Sequence, residues 1–113
     1  FKKYGFYPIM HVMTLKRDLA DVQPALPRAL MDMYEEAKTL AYSYYDDSNY
    51  SLLAWSRNAL EDQRAALGAE PWTSGFAANK KNLEQFIGYS HDQRLIDAPY
   101  PAERLFHGSV LDS

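Results

Sequence analysis

Apolar residues recur at three- and four-residue steps along Leu26, Leu30, Met33, Ala37, Leu40 and Ala41. That spacing predicts an amphipathic helix over about 24–44, with Glu35, Glu36 and Lys38 on its wetter side. Pro24 and Pro27 suit its first turn, where an intrahelical N–H bond is not needed. The run from Tyr42 to Tyr50, rich in Asp, Ser and Asn, ends the pattern as a turn. A second helix is expected over about 51–67, with Leu52, Leu53, Leu60 and Leu67 inward, stopped by Gly68 in left-handed geometry. Residues 69–78 form a loop punctuated by Pro71 and Gly75 that carries Trp72 and Phe76. Asn79 then fits an N-cap, and a third helix over about 80–93 points Leu83, Phe86, Ile87 and Ser90 inward. A short last helix over about 101–106 begins with Pro101. Ahead of all of these, the apolar, partly β-branched run Ile9–Leu15 predicts a strand over about 9–15 with a buried face.

His11 interrupts that strand. A histidine there either finds hydrogen-bond partners inside the fold or faces a cleft where its proton matters. The chain opens Phe1-Lys2-Lys3-Tyr4, directly before the strand and without Met. It is therefore expected to be the C-terminal segment of a longer protein, completed by the remainder of the same polypeptide.

Composition narrows the function classes. A net charge of −3, with only paired basic residues such as Lys16-Arg17 and Lys80-Lys81, disfavours nucleic acid. No apolar run approaches the ~20 residues that cross a bilayer, and no leader is visible. The absence of cysteine removes disulfides, thiolate nucleophiles and zinc–thiolate clusters. His11, His91 and His107 lack metal-ligand spacing. Aromatic residues make up 14% of the chain, and nine tyrosines supply most of them. Such flat amphipathic side chains serve aromatic ligands or packing equally well.

The segment Gly5-Phe6-Tyr7-Pro8-Ile9-Met10-His11-Val12 resembles the "G-(I/F)-(F/Y)-P-I-M-H-V" stretch of the 4,5-dihydroxyphthalate decarboxylase family. Further along, Trp72-Thr73-Ser74-Gly75 resembles the family's "W-P-Y-G" loop, and Ala78-Asn79-Lys80-Lys81-Asn82-Leu83-Glu84 its "x-N-(R/K)-(K/A)-x-L-E". Tyr89-Ser90-His91-Asp92-Gln93-Arg94-Leu95 resembles "Y-(S/A)-(Y/H)-E-Q-G-L", and Pro101 to Phe106 the closing "P-E-E-L-F". The departures are Thr73-Ser74 for Pro-Tyr, Asp92 for Glu and Arg94 for Gly.

The resemblance implies an α/β protein with the two-lobed fold of type II solute-binding proteins, of which this chain would be a mainly helical C-terminal part with one N-terminal strand. It also implies a cytoplasmic decarboxylase acting on a dihydroxylated aromatic dicarboxylate, without cofactor or metal; an oligomer is compatible with this. Such a reaction needs a general acid to protonate the ring carbon that loses CO2, and histidine has a suitable pKa unperturbed. His11 is the candidate catalytic residue, against the alternative of a structural histidine. Phe6, Tyr7 and Met10 are candidates for a wall against the substrate ring. Asn79 and Lys80, at an expected helix N-terminus, are candidates for holding a carboxylate; a cap and a solvated basic pair are the alternative. The rival function is a non-catalytic solute-binding protein of a transporter, for a small aromatic or thiamine-precursor-like ligand.

Overall fold

A computed structural model describes residues 1–113. Four α-helices follow one another: α1 (Arg17–Val22), α2 (Leu26–Tyr44), α3 (Ser56–Leu67) and α4 (Phe76–Asp92). Two 3-10 turns, Ala102–Leu105 and Gly108–Val110, complete the chain.

The core lies along α4. Phe76, Leu83 and Ile87, spaced seven and four residues apart, form one line on this helix. The first 3-10 turn adds Ala102, and Ile9, Ile96, Phe106 and Leu111 close around the cluster. Phe76 meets Phe106 with ring centroids 5.2 Å apart. Residues 96–111 thus fold back over the face of α4 that Asn82 and Ser90 share, both also buried. Phe86, expected inward, is 68% exposed. It lies four residues from each of the buried Asn82 and Ser90, on their row of the helix, and yet stays in solvent.

The expected α/β architecture is not found: the chain is helical, with no strand and no sheet. Residues 9–15 are extended but unpaired. A strand is stabilised by a ladder of backbone bonds to a neighbour, and none forms here; side chains of α4 instead hold the chain just ahead of the run. Asn82 Nδ2 donates to the Tyr7 carbonyl at 2.7 Å, and Lys81 Nζ to that of Tyr4 at 3.1 Å. Of the apolar run, Ile9 reaches the core while Met10, Val12 and Met13 stay exposed. The two-lobed solute-binding architecture has no counterpart in this helical arrangement.

Helix starts differ from the pattern reading for local reasons. α1 falls in a stretch for which the pattern predicted no element. α3 begins at Ser56 rather than near Ser51, because the Ser51 hydroxyl accepts the Leu53 N–H and turns residues 51–53. α4 begins at Phe76, and Gly75 supplies the bend with φ 101° and ψ 151°, a region essentially open only to glycine. Asn79 therefore lies inside the first turn, where its amide donates back to the Thr73 and Gly75 carbonyls at 2.7 and 2.9 Å. Gly68 ends α3 with φ 88° and ψ 179°, in that same glycine region rather than the left-handed helical one.

The molecule is open. Seven of 113 residues are buried. The radius of gyration is 17.0 Å, against about 13 Å for a compact chain of this length.

Candidate functional site

Two regions bring chemistry-bearing residues together. The first is the N-terminal segment strapped along α4. Gly5, with φ 80°, turns the chain so that its N–H meets the Phe1 carbonyl at 2.8 Å. Tyr4 then stacks on Phe6 with centroids 5.8 Å apart. Tyr7 sets its ring edge-on to Trp72 at 4.7 Å, so the 69–75 loop and the strap share an aromatic contact. The Tyr89 hydroxyl donates to that of Tyr4 at 2.8 Å. The Lys3 ammonium beside Tyr4, together with this donor, holds the Tyr4 phenol below its ordinary range. Tyr89 is raised, because losing its proton would cost the bond to Tyr4.

His11 follows this aromatic stretch and is exposed. Of the other two histidines, only His107 is engaged. His107 Nδ1 meets Ser109 Oγ at 2.8 Å and accepts the Ser109 N–H, and its Nε2 lies 3.6 Å from Asp21. His107 is thus half-buried and ties the last turn to α1. His91, exposed near the end of α4, lies 3.9 Å from Asp92. His11 and His91 both carry imidazoles without a hydrogen-bonded partner in the chain, and of the two only His11 lies beside the aromatic strap. Met10 beside it is 64% exposed.

The carboxylate-holding candidates are already engaged. Asn79 spends its amide on the two loop carbonyls. Lys80 Nζ pairs with Glu103 at 2.6 Å and, more loosely, with Glu84 at 3.8 Å. These are exposed surface pairs, which are weak and readily exchanged.

The second region is a cleft of about 310 Å³ between α2 and the loop before α4, lined among others by Arg28, Glu35, Lys38, Glu70, Ser74 and Ser113. Sequence patterning did not single it out. Lys38, largely shielded, reaches Glu35 at 3.0 Å, Glu70 at 3.4 Å and the Trp72 carbonyl at 2.9 Å. Burial acts to raise the Glu35 carboxyl, but the Ser74 hydroxyl and Lys38 ammonium outweigh it and hold the group below the ordinary carboxylate range. Burial likewise acts to lower Lys38, and the two glutamates outweigh it and raise it. Arg28 pairs with Asp112 and donates to the Ser109 carbonyl at 3.4 Å. Ser113 sits on the N-terminus of α4, its carbonyl accepting the Ala77 N–H at 2.6 Å and its hydroxyl the Phe76 N–H at 3.0 Å. Two cations and two glutamates balance here, so the cleft works as a joint between α2, the loop and residues 108–113. No three His, Asp or Glu side chains converge in a metal-binding cluster. No helix is long and apolar enough to cross a membrane.

Along its whole length the chain is distantly similar to a decarboxylase. The relative is the 4,5-dihydroxyphthalate decarboxylase of Comamonas testosteroni, 28% identical over 115 aligned residues. The alignment covers 100% of this chain and 35% of the relative, so the chain spans about a third of the length of the curated protein it matches. No protein-family model matches the sequence.

Proposed function

We propose that the protein is a carboxy-lyase removing CO2 from a dihydroxylated aromatic dicarboxylate such as 4,5-dihydroxyphthalate, with His11 as the proton donor. The observation that carries this reading is the similarity, end to end, to a decarboxylase of that substrate. The unpartnered, accessible imidazole beside an aromatic strap supports it. In this reaction a ring hydroxyl pushes electron density onto the carbon bearing the leaving carboxylate. His11 delivers a proton to that carbon, the ring–carboxylate bond breaks, its electron pair restores the aromatic ring, and neutral CO2 departs. Solvent then reprotonates the imidazole. Positioned proton transfer of this kind supplies ~10²–10⁴-fold.

Phe6 and Tyr7 offer flat faces to the substrate ring, and Met10 a polarizable side chain. Lys80 holds the remaining carboxylate by exchanging Glu103 for it. Asn79 fixes the loop beside it through the Thr73 and Gly75 carbonyls.

The test is release of CO2 and of 3,4-dihydroxybenzoate from 4,5-dihydroxyphthalate. It is run with the purified protein and with the Comamonas testosteroni enzyme whose matched third is replaced by these 113 residues. Turnover by either, lost in His11→Asn with unchanged helical circular dichroism, supports the proposal. Turnover by neither overturns the decarboxylase reading, and undiminished turnover in His11→Asn removes His11 from the mechanism.

A further inference from the structure

α2 is amphipathic, and it faces the wrong way for a helix whose packing is complete. Its contacts with the rest of the chain run along Arg28, Met31, Glu35 and Lys38, the line that borders the charged cleft. Its apolar line, Leu26, Leu30, Met33, Ala37, Leu40 and Tyr44, lies roughly opposite at ~100° per residue. Met33 is 62% exposed and Leu40 55%. The steps between these residues alternate four and three along the whole helix, which is the spacing of a helix–helix seam. Leu26 and Leu30 are half-buried, but from Met33 to Tyr44, about three turns, the line is left in water, and such a stretch marks a docking surface.

The size of the uncovered surface identifies what docks. The chain exposes 8838 Å², against about 6,300 Å² for a folded monomer of its mass. The excess, roughly 2,500 Å², exceeds the ~800 Å² that each partner contributes to an ordinary two-protein interface. It is also spread over several elements: Trp55 before α3, Phe86 on α4 and Met13 in the strap are exposed together with the α2 seam. A second copy meeting α2 along one two-fold axis covers one of these faces. A longer polypeptide covers several, and the decarboxylase relative extends beyond the matched region by roughly two thirds of its length.

We infer that the Leu26–Tyr44 seam docks a helix of a polypeptide equivalent to the part of the decarboxylase relative that this chain does not span. The partner helix carries a matching three–four apolar ridge and crosses α2 at about 20°. One edge of the seam is acidic, with Asp32 and Glu36 both exposed, so the corresponding edge of the partner helix is basic.

The experiment co-expresses the 113-residue chain with the unmatched portion of the Comamonas testosteroni enzyme as a separate polypeptide. Complex formation is read by mass, independently of turnover. The expected result is a one-to-one complex in which the α2 amides gain protection from hydrogen exchange. Met33→Glu and Leu40→Glu, at positions that touch little of the chain's own body, should each weaken it ~10-fold or more while leaving the helical circular dichroism of the chain alone unchanged. Absence of a complex overturns the inference. So does a complex indifferent to both substitutions. A homodimer of the chain alone that the same substitutions dissociate also overturns it, since the seam would then belong to a second copy.

Discussion

Asn82, 6% exposed on the core face of α4, donates its side-chain amide to the backbone carbonyl of Tyr7 at 2.7 Å. This bond holds the chain two residues ahead of the apolar run. It fixes the height at which the N-terminal strap crosses α4, and with it the Tyr7–Trp72 contact and the placement of His11 four residues further on. Asn82→Ala leaves the Tyr7 carbonyl without its partner and opens a small void. The acceptor is only part-buried and water can replace the amide, so the loss is that of an ordinary hydrogen bond, about 0.5–1.5 kcal/mol, and the denaturation midpoint should fall by that equivalent. Hydrogen exchange should show faster opening confined to the strap and the start of α4. Unchanged exchange in the strap would mean that Ile9 anchors it alone.

Gly75 is held by two independent constraints. Its φ of 101° with ψ 151° is a conformation side chains avoid, and a Cβ there would lie 2.7 Å from the Ser113 backbone carbon. Gly75→Ala must distort the start of α4 or expel Ser113 from it. Backbone strain of this kind costs about 1–3 kcal/mol. The expected outcome is a destabilisation of about that size, with residues 108–113 losing protection because the Phe76 and Ala77 N–H groups lose Ser113.

Lys38 links α2 to the loop before α4 by reaching Glu35 and Glu70 at once. Its pKa is raised in the folded protein, so its contribution is fully present below the ordinary lysine range and is lost as pH rises through the raised value. Glu35 is lowered, so its contribution is present above the ordinary carboxylate range and is lost as pH falls through the lowered value. Stability against urea should therefore be flat around neutrality, with an acid limb and an alkaline limb from this cluster. Lys38→Met should remove the alkaline limb and flatten the acid one. The loss at pH 7 should be about 1 kcal/mol, modest because both glutamates keep more than a third of their side chains in solvent. An alkaline limb that survives the substitution would place its origin elsewhere.

These relationships were unevenly legible in the sequence. The spacing of Leu83 and Ile87 gave the core face of α4, because a buried helix face leaves a periodic trace. The same kind of trace on α2 was misleading. Leu26 to Leu40 are periodic, but periodicity reports an apolar face without saying what covers it, and in this chain nothing covers it from Met33 onward. The strap failed for a related reason. An extended apolar run looks like a strand, yet whether it joins a ladder depends on a neighbour that sequence does not name. Asn79 was visible as a residue suited to a helix start. The position of Gly75 four residues earlier, with the backbone freedom to make the bend, moved that start and turned the amide from acceptor to donor. The Arg28–Glu35–Lys38 line left no signal as a cleft, since charged residues on a helix usually mark its solvated side.

Arg94 offers a test of how the end of α4 is held. Its N–H donates to the His91 carbonyl and the following Leu95 N–H to that of Ser90, both at 2.8 Å. This crossed pair is the Schellman arrangement, which calls for a residue in left-handed geometry at the position Arg94 occupies. Arg94 adopts it, with φ 59°, as the only non-glycine residue of positive φ in the chain. The related segment "Y-(S/A)-(Y/H)-E-Q-G-L" has glycine in register, and glycine takes that geometry without steric cost. A residue with a Cβ carries roughly 1–2 kcal/mol there, partly offset because glycine also gives the unfolded chain more freedom. Arg94→Gly is therefore expected to stabilise the protein by about 0.5–1 kcal/mol, shown as a higher urea midpoint at unchanged slope. Arg94→Val should destabilise by a similar amount or more, since branching at Cβ worsens the same clash. If neither substitution shifts the midpoint, the end of α4 frays in solution and the two bonds are not held there.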